Sequence, residues 1–172
     1  MNRSQTPDVR LEPWSEDGGL DLLHALNTPE LTEYLGGPET REKVEDRHRR
    51  YLATNDHDRG QMFRIVLDGE LAGSIGHWET TWQGEQVWET GWGVLPAFQG
   101  RGLAATAARL LVPHVRAAGR HPHLHAFPAT GHAASNAVCR KAGFTLVGEA
   151  SIEYPKGNWH PCNDWRLALN PA

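Results

Sequence analysis

Cysteine is scarce in this sequence. Cys139 and Cys162 are the only two in 172 residues, too few for a disulfide framework and without the spacing of a zinc site. Basic charge is not in surplus either. Seventeen Lys and Arg stand against 21 Asp and Glu, a net charge of -4. That balance leaves no basic footprint for nucleic acid and no polybasic patch for a membrane surface, while suiting an acceptor that carries positive charge. No apolar run approaches membrane-spanning length, and the N-terminus carries no apolar leader core. No internal repeat or low-complexity segment is visible. These absences point to a cytoplasmic enzyme or binding protein.

What is present fits one domain over residues 1–172, with residues 1–7 as a loose tail. Hydrophobic content of 39% and charged content of 22% are ordinary for a globular chain. Val9 to Trp14 reads as a first strand. Ser15-Glu16-Asp17 supplies a cap and an acidic first turn for a helix running to Leu26. Pro29 opens a short helix stopped by Gly36-Gly37-Pro38, and Thr40 precedes a highly charged helix to Tyr51 whose charge run reads as a solvated face. A three-strand meander follows: Met62–Leu67, Leu71–Trp82 and Gln86–Val94, with turns at Asp68-Gly69 and Gln83-Gly84-Glu85. After a central helix come a strand at His123–Phe127, a helix at Gly131–Ala142, and an antiparallel pair at Phe144–Val147 and Asn163–Leu169. The sum is α+β with a mixed sheet.

The organising stretch is Gly93 to Leu111, a strand, a glycine turn and an alanine-rich helix with Leu103, Ala107, Leu110 and Leu111 on one face. Gly100 and Gly102 stand where the helix begins. Unpartnered N–H groups and the helix dipole make that entrance an anion site, and Arg101 adds a charge beside it. A nucleotide P-loop is excluded because its lysine and hydroxyl are missing. The dinucleotide fingerprint is excluded because only two glycines appear. A glycine turn that merely caps a core helix remains the plain alternative.

Gln99-Gly100-Arg101-Gly102-Leu103-Ala104 resembles the pyrophosphate-binding motif of the GCN5-related N-acetyltransferases (GNAT). Further stretches agree with the branch that acetylates ribosomal-protein N-termini. Glu89 to Pro96 is similar to its "EIGYWL.P" strand, and Tyr34 to Pro38 to its acceptor-side loop. Ala134 to Phe144 is similar to its coenzyme-side segment, N-x-x-S-N-x-V-x-x-K-x-G-F. The resemblance covers Val9 to Leu169. It implies a three-layer fold: a mixed, mostly antiparallel sheet flanked by helices on both faces, with a splay between the fourth and fifth strands. Two departures stand out. His132 takes the place of the segment's first asparagine, and no tyrosine follows the Gly143-Phe144 pair.

The resemblance further implies an acetyl-CoA-dependent N-acetyltransferase, passing an acyl group directly from coenzyme A to a primary amine, on a protein N-terminus or a small molecule. It assigns the diphosphate to the amides of Gly100, Arg101, Gly102, Leu103 and Ala104, with Gln99 and Arg101 assisting. It assigns the thioester carbonyl to the N–H of Trp92, strand-like pairing with pantetheine to Val94, and a coenzyme contact to Asn136. Glu89 is the candidate general base, Glu79 its substitute, and an ordinary strand glutamate the plain reading. Because Glu89 and Trp92 alternate on a regular strand, bringing both to one cleft calls for a bulge. Ser135 is the candidate leaving-group acid, against a helix-cap hydroxyl, with Tyr154 in reserve. Neither cysteine suits a nucleophile.

His121-x-His123-x-His125 places three histidines on one strand face, but Pro122 and the lack of a nearby carboxylate argue against a metal. Of Trp78, Trp82, Trp88 and Trp92, at least half read as cross-strand packing and the rest as an acceptor pocket. A second copy of the chain is a further candidate partner. The rival class is a non-catalytic acyl-CoA-binding sensor or scaffold.

Overall fold

The computed structural model describes residues 6–55 and 59–170. Most of the expected loose tail, residues 1–5, lies outside them.

Among the described residues, seven strands and four α-helices follow one another in the order β1 (Val9–Pro13), α1 (Gly19–Leu26), α2 (Arg41–Ala53), β2 (Gly60–Leu67), β3 (Glu70–Trp82), β4 (Glu85–Val94), α3 (Leu103–Ala118), β5 (His123–Ala126), α4 (Ala133–Lys141), β6 (Thr145–Glu153) and β7 (Trp159–Ala168). The strands form one sheet in the order β1-β2-β3-β4-β5-β7-β6. All neighbours are antiparallel except β4 and β5, which run parallel. The resemblance implied this architecture.

Each face of the sheet buries its own core. One is built on α3, whose Leu103, Ala107, Leu111 and Val115 fall four residues apart and pack on Phe63, Ile75, Trp88 and Leu124. Full burial of side chains of this size stabilises by about 1.5–3 kcal/mol each. On the other face Trp14, Leu22, Leu23, Val44 and Met62 pack between α1, α2 and the sheet, with Trp78 at the margin. Leu110, expected on the buried stripe, is 38% exposed. It lies about 100° around the helix from Leu111, at the outer margin of the stripe, which Ala108 extends on the opposite side.

Local chemistry explains most element ends. Thr40 caps α2 by accepting from the Lys43 N–H. Gln83-Gly84 turns β3 into β4 with positive φ at both residues. Two expectations gave way. The helix expected from Ser15 starts only at Gly19, because Gly18 is left-handed and Gly19 lies so close to the Trp14 indole that a Cβ would come within 3.0 Å. The helix expected from Pro29 is reduced to a single 3-10 turn at Glu33–Leu35. The closing pair, β6 and β7, is much longer than Phe144–Val147 and Asn163–Leu169. Its outer half consists of alternating polar and small residues on an edge hairpin, where Pro161 loses no central ladder bond.

Candidate active site

Two strands part company at the middle of the sheet. β3 and β4 stay paired without a register shift from Trp82↔Glu85 to Gly73↔Val94. β4 and β5 share only two rungs, Trp88↔Leu124 and Glu89↔His125. Beyond Ala126 the chain follows β7 instead: Asn163 N–H donates to Pro128 O at 2.9 Å, Thr130 N–H to Pro161 O at 3.3 Å, and Ala129 bridges Cys162. A wedge therefore opens between β4 and the segment after β5.

The edge of β4 in that wedge is main chain. Gly93 O crowds Gly73, where a Cβ would come within 2.1 Å, and Leu95 N–H donates to Ala72 O at 2.8 Å. Alternation then turns the N–H and C=O groups of Thr90, Trp92 and Val94 away from β3 and into the wedge. One of these carbonyls is taken, since Gln99 Nε2 donates to Val94 O at 3.0 Å. By the same alternation the Trp92 N–H faces the wedge. The expected bulge is absent from β4 and unnecessary: the donor is a main-chain amide lying in the sheet plane, so the opposite facing of the Glu89 and Trp92 side chains is no obstacle.

At the mouth of the wedge, Gly100 and Gly102 are both left-handed, with φ of 77° and 71°. A Cβ at either would meet nothing within 4 Å, so their conformation, not crowding, calls for glycine. No side chain caps α3, in contrast to α2. Its first helical bond runs from Thr106 N–H to Gly102 O, which leaves the amides of Leu103, Ala104 and Ala105 without helix partners. Arg101 folds back over Phe98, its guanidinium 5.9 Å from the ring centre. Open space, bare amides and a nearby cation fit a diphosphate.

Glu89 stands at the last shared rung, on the face covered by α1 and α2. Its Oε2 accepts from Trp78 Nε1 at 2.9 Å. Burial pushes its carboxyl up to about 6, against the lowering pull of that hydrogen bond. The substitute, Glu79, pairs with Trp88 on the opposite face and is held by Arg120 and His121, each at 2.8 Å. Those partners, His121 first, hold its pKa below the ordinary value. Glu79 is thus committed elsewhere.

The histidine run divides. His121 packs edge-on against Trp88 on the α3 face, whereas His123 and His125 project to the Glu89 face. The expected single face fails because His121 precedes β5, after a left-handed Arg120. Among the described residues no group of three or more His, Cys, Asp or Glu side chains is placed to hold a metal. Asp164, which carried no signal in the sequence, is 4% exposed and accepts from His125 Nδ1 at 2.6 Å and Trp82 Nε1 at 3.0 Å. The tryptophans divide as well: Trp88 and Trp92 belong to the α3-side core, while Trp78 and Trp82 each hold a carboxylate. Cys162 is buried beside Asp164 and Glu89, its thiol pushed up to about 11 by burial and then by those charges. Cys139 is also buried, with its thiol pushed up to about 12.

Asn136 is fully engaged inside the protein. Its amide donates to Ala129 O at 3.0 Å and His132 O at 2.8 Å, and its Oδ1 accepts from Asn163 Nδ2 and Trp165 Nε1. Ser135 lies half-buried in the first turn of α4. A cavity of about 290 Å³ opens where the α1–α2 connection (Glu33, Tyr34) meets the segment after β5 (Ala129, Thr130) and the start of β7 (His160, Pro161). Tyr34 closes one side by stacking on His132 at 4.4 Å and donating to Gly131 O. The β6–β7 turn is tied in by Arg47, which donates to Glu39 and to the Tyr154 hydroxyl.

Residues 8–145 match the family model described as an acetyltransferase (GNAT) domain. Among solved structures, an acetyl transferase from Salmonella typhimurium that modifies the N-terminal serine of a 50S ribosomal subunit protein is 19% identical, with 94% of this chain and 95% of that chain covered and a TM-score of 0.73. The aminoglycoside acetyltransferase AAC(6')-Ib in complex with coenzyme A and kanamycin is 18% identical over 94% and 95%, with a TM-score of 0.75. A ribosomal alpha-N-protein acetyltransferase in complex with coenzyme A is 18% identical over 93% of both chains, with a TM-score of 0.71. No curated protein matches the chain.

Proposed function

The chain belongs to the GNAT acetyltransferase family and is an acetyl-CoA-dependent acyltransferase; from that premise we propose that Glu89 is the base that readies a primary amine for direct transfer in the β4–β5 wedge. The observation that carries the proposal is the position of Glu89, a half-buried carboxyl at the last shared rung, beside the free β4 edge.

Acetyl-CoA supplies an activated acyl thioester. The bare amides from Gly100 to Ala104 hold its diphosphate, with the Arg101 charge beside them. The Trp92 N–H polarises the thioester carbonyl, a role worth about 2.7–4 kcal/mol for one preorganised donor. The free N–H of Val94 pairs with the pantetheine arm, while its carbonyl stays with Gln99. Glu89 draws a proton from the acceptor ammonium, whose ordinary pKa near ~10 keeps it charged at neutral pH. Ser135, in the first turn of α4 within the coenzyme-side segment, is the candidate that protonates the leaving thiolate. Asn136 acts as a brace that fixes this segment to β7.

The acceptor in this reading is a protein N-terminus or a small-molecule amine, entering beside Glu33 and Tyr34. The acidic balance of the chain and the carboxylate at the cavity favour a cationic acceptor. The whole of 1–172 serves as one acetyltransferase domain. No helix among the described residues is long and apolar enough to cross a membrane, in keeping with a cytoplasmic setting. Release of free thiol from acetyl-CoA, followed with kanamycin and with a serine-initiated peptide, tests the function. Tight coenzyme A binding with no thiol release for any amine would reject it.

A further inference from the structure

Among the ionisable groups on the Glu89 face that take no part in the transfer described above, His125, Asp164 and His123 stand together. Glu89 and His125 are register partners on adjacent parallel strands, about 4.8 Å apart at the backbone. Asp164 faces two donors. Trp82 Nε1–H can only donate, and it approaches Oδ2 at 3.0 Å, while His125 Nδ1 lies 2.6 Å from Oδ1. The carboxylate therefore holds the Nδ1–H tautomer, and the lone pair of His125 sits on Nε2. Phe127 stacks on the ring at 5.6 Å and 18°, which fixes its plane. His123 precedes His125 on β5, the two rings 6.3 Å apart, and is half-buried. It lies on the side of His125 away from the wedge.

We propose that His125, oriented by Asp164, is a proton-relay residue that returns Glu89 to the carboxylate form after each transfer. The inference rests on the reading of Glu89 as base. The N–H bond of the ammonium breaks as an O–H bond forms on Glu89. That O–H bond then breaks, directly or through one water, as an N–H bond forms on His125 Nε2. Asp164 stabilises the imidazolium until water beside His123 takes the proton. One proton leaves for solvent, and no electrons change hands. The route runs away from the wedge, which the two substrates fill at that moment. The charged and titratable neighbours are His123 on β5, Glu85 and Glu89 on β4, and Cys162, Asp164 and Arg166 on β7, with Trp82 from β3.

His125→Asn separates the relay from the scaffold. Its side-chain amide keeps an N–H for Asp164 but has no counterpart of Nε2. Thiol release from acetyl-CoA with kanamycin and with a serine-initiated peptide is followed across pH, with and without added imidazole. The relay requires kcat to fall by roughly 10- to 100-fold, KM for acetyl-CoA to hold within about twofold, and imidazole to restore the rate. Full activity in His125→Asn, or a loss that imidazole does not relieve, overturns it. Glu89→Gln is measured alongside. Normal turnover there removes the base reading itself, whereas an inactive Glu89→Gln beside an indifferent His125→Asn removes only the relay. Independently of any acceptor, nitrogen NMR of the neutral imidazole must show the proton on Nδ1 and Nε2 bare. The opposite tautomer overturns the inference.

Discussion

Trp78 donates its indole N–H to Oε2 of Glu89 at 2.9 Å, and the two residues face each other across the β3–β4 ladder. The bond favours the charged carboxylate and works against the burial that raises its pKa. Trp78→Phe keeps an aromatic ring and removes the donor. The acidic limb of kcat then moves to higher pH, and a pH–rate profile of the variant checks the direction.

Glu89→Gln removes the proposed base. We expect kcat to fall by about 10²–10³-fold, within the usual range of general acid–base catalysis, with KM for acetyl-CoA little changed. The limb near pH 6 should vanish with it.

The same variant has a stability signature. The folded-state pKa of Glu89, about 6, lies above the ordinary 4.5. Protonated Glu89 therefore favours the fold below the lower value, and that benefit is lost as pH rises through the upper one. The charge costs about 2 kcal/mol above pH 6. Glu89→Gln should melt higher than the parent at pH 7–8 and alongside it near pH 4, as thermal scans at both values would show.

Gly102→Val tests the diphosphate grip. At φ of 71° a side chain costs about 1–2 kcal/mol, yet a Cβ there meets no neighbour within 4 Å. The fold should survive with a lowered melting point while KM for acetyl-CoA rises sharply and KM for the amine does not. An unchanged KM for acetyl-CoA would remove the anchoring role.

Asn136→Ala breaks four hydrogen bonds at once, three part-buried and one buried, and strands the Trp165 indole. A loss of about 3 kcal/mol or more is expected, read by denaturant titration, with the coenzyme-side segment loosened from β7.

The glycine turn, the alanine helix and the meander were legible in the sequence because each is a local matter: a left-handed φ, helical spacing, a two-residue turn. The uncapped entrance to α3, where the diphosphate is proposed to bind, belongs to this class, since the left-handed Gly100 and Gly102 announce it by themselves. Glu89 and Trp92 were legible as residue types, but alternation alone set them on opposite faces. In the function proposed above, one acts through its side chain and the other through a main-chain amide on the unpaired β4 edge, a distinction that alternation within one strand does not carry.

The sequence by itself determined the family, the order of elements and the glycine-bearing entrance to α3, because periodicity and backbone conformation are written within a few residues of where they act. Only the tertiary structure decided that Glu79 is spent in an ion pair on the far face, that His121 parts from His123 and His125, and that Asp164 reaches His125 from 39 positions away. Pairing across the sheet fixes these relations, and strand register is a property of the folded chain that no local pattern carries.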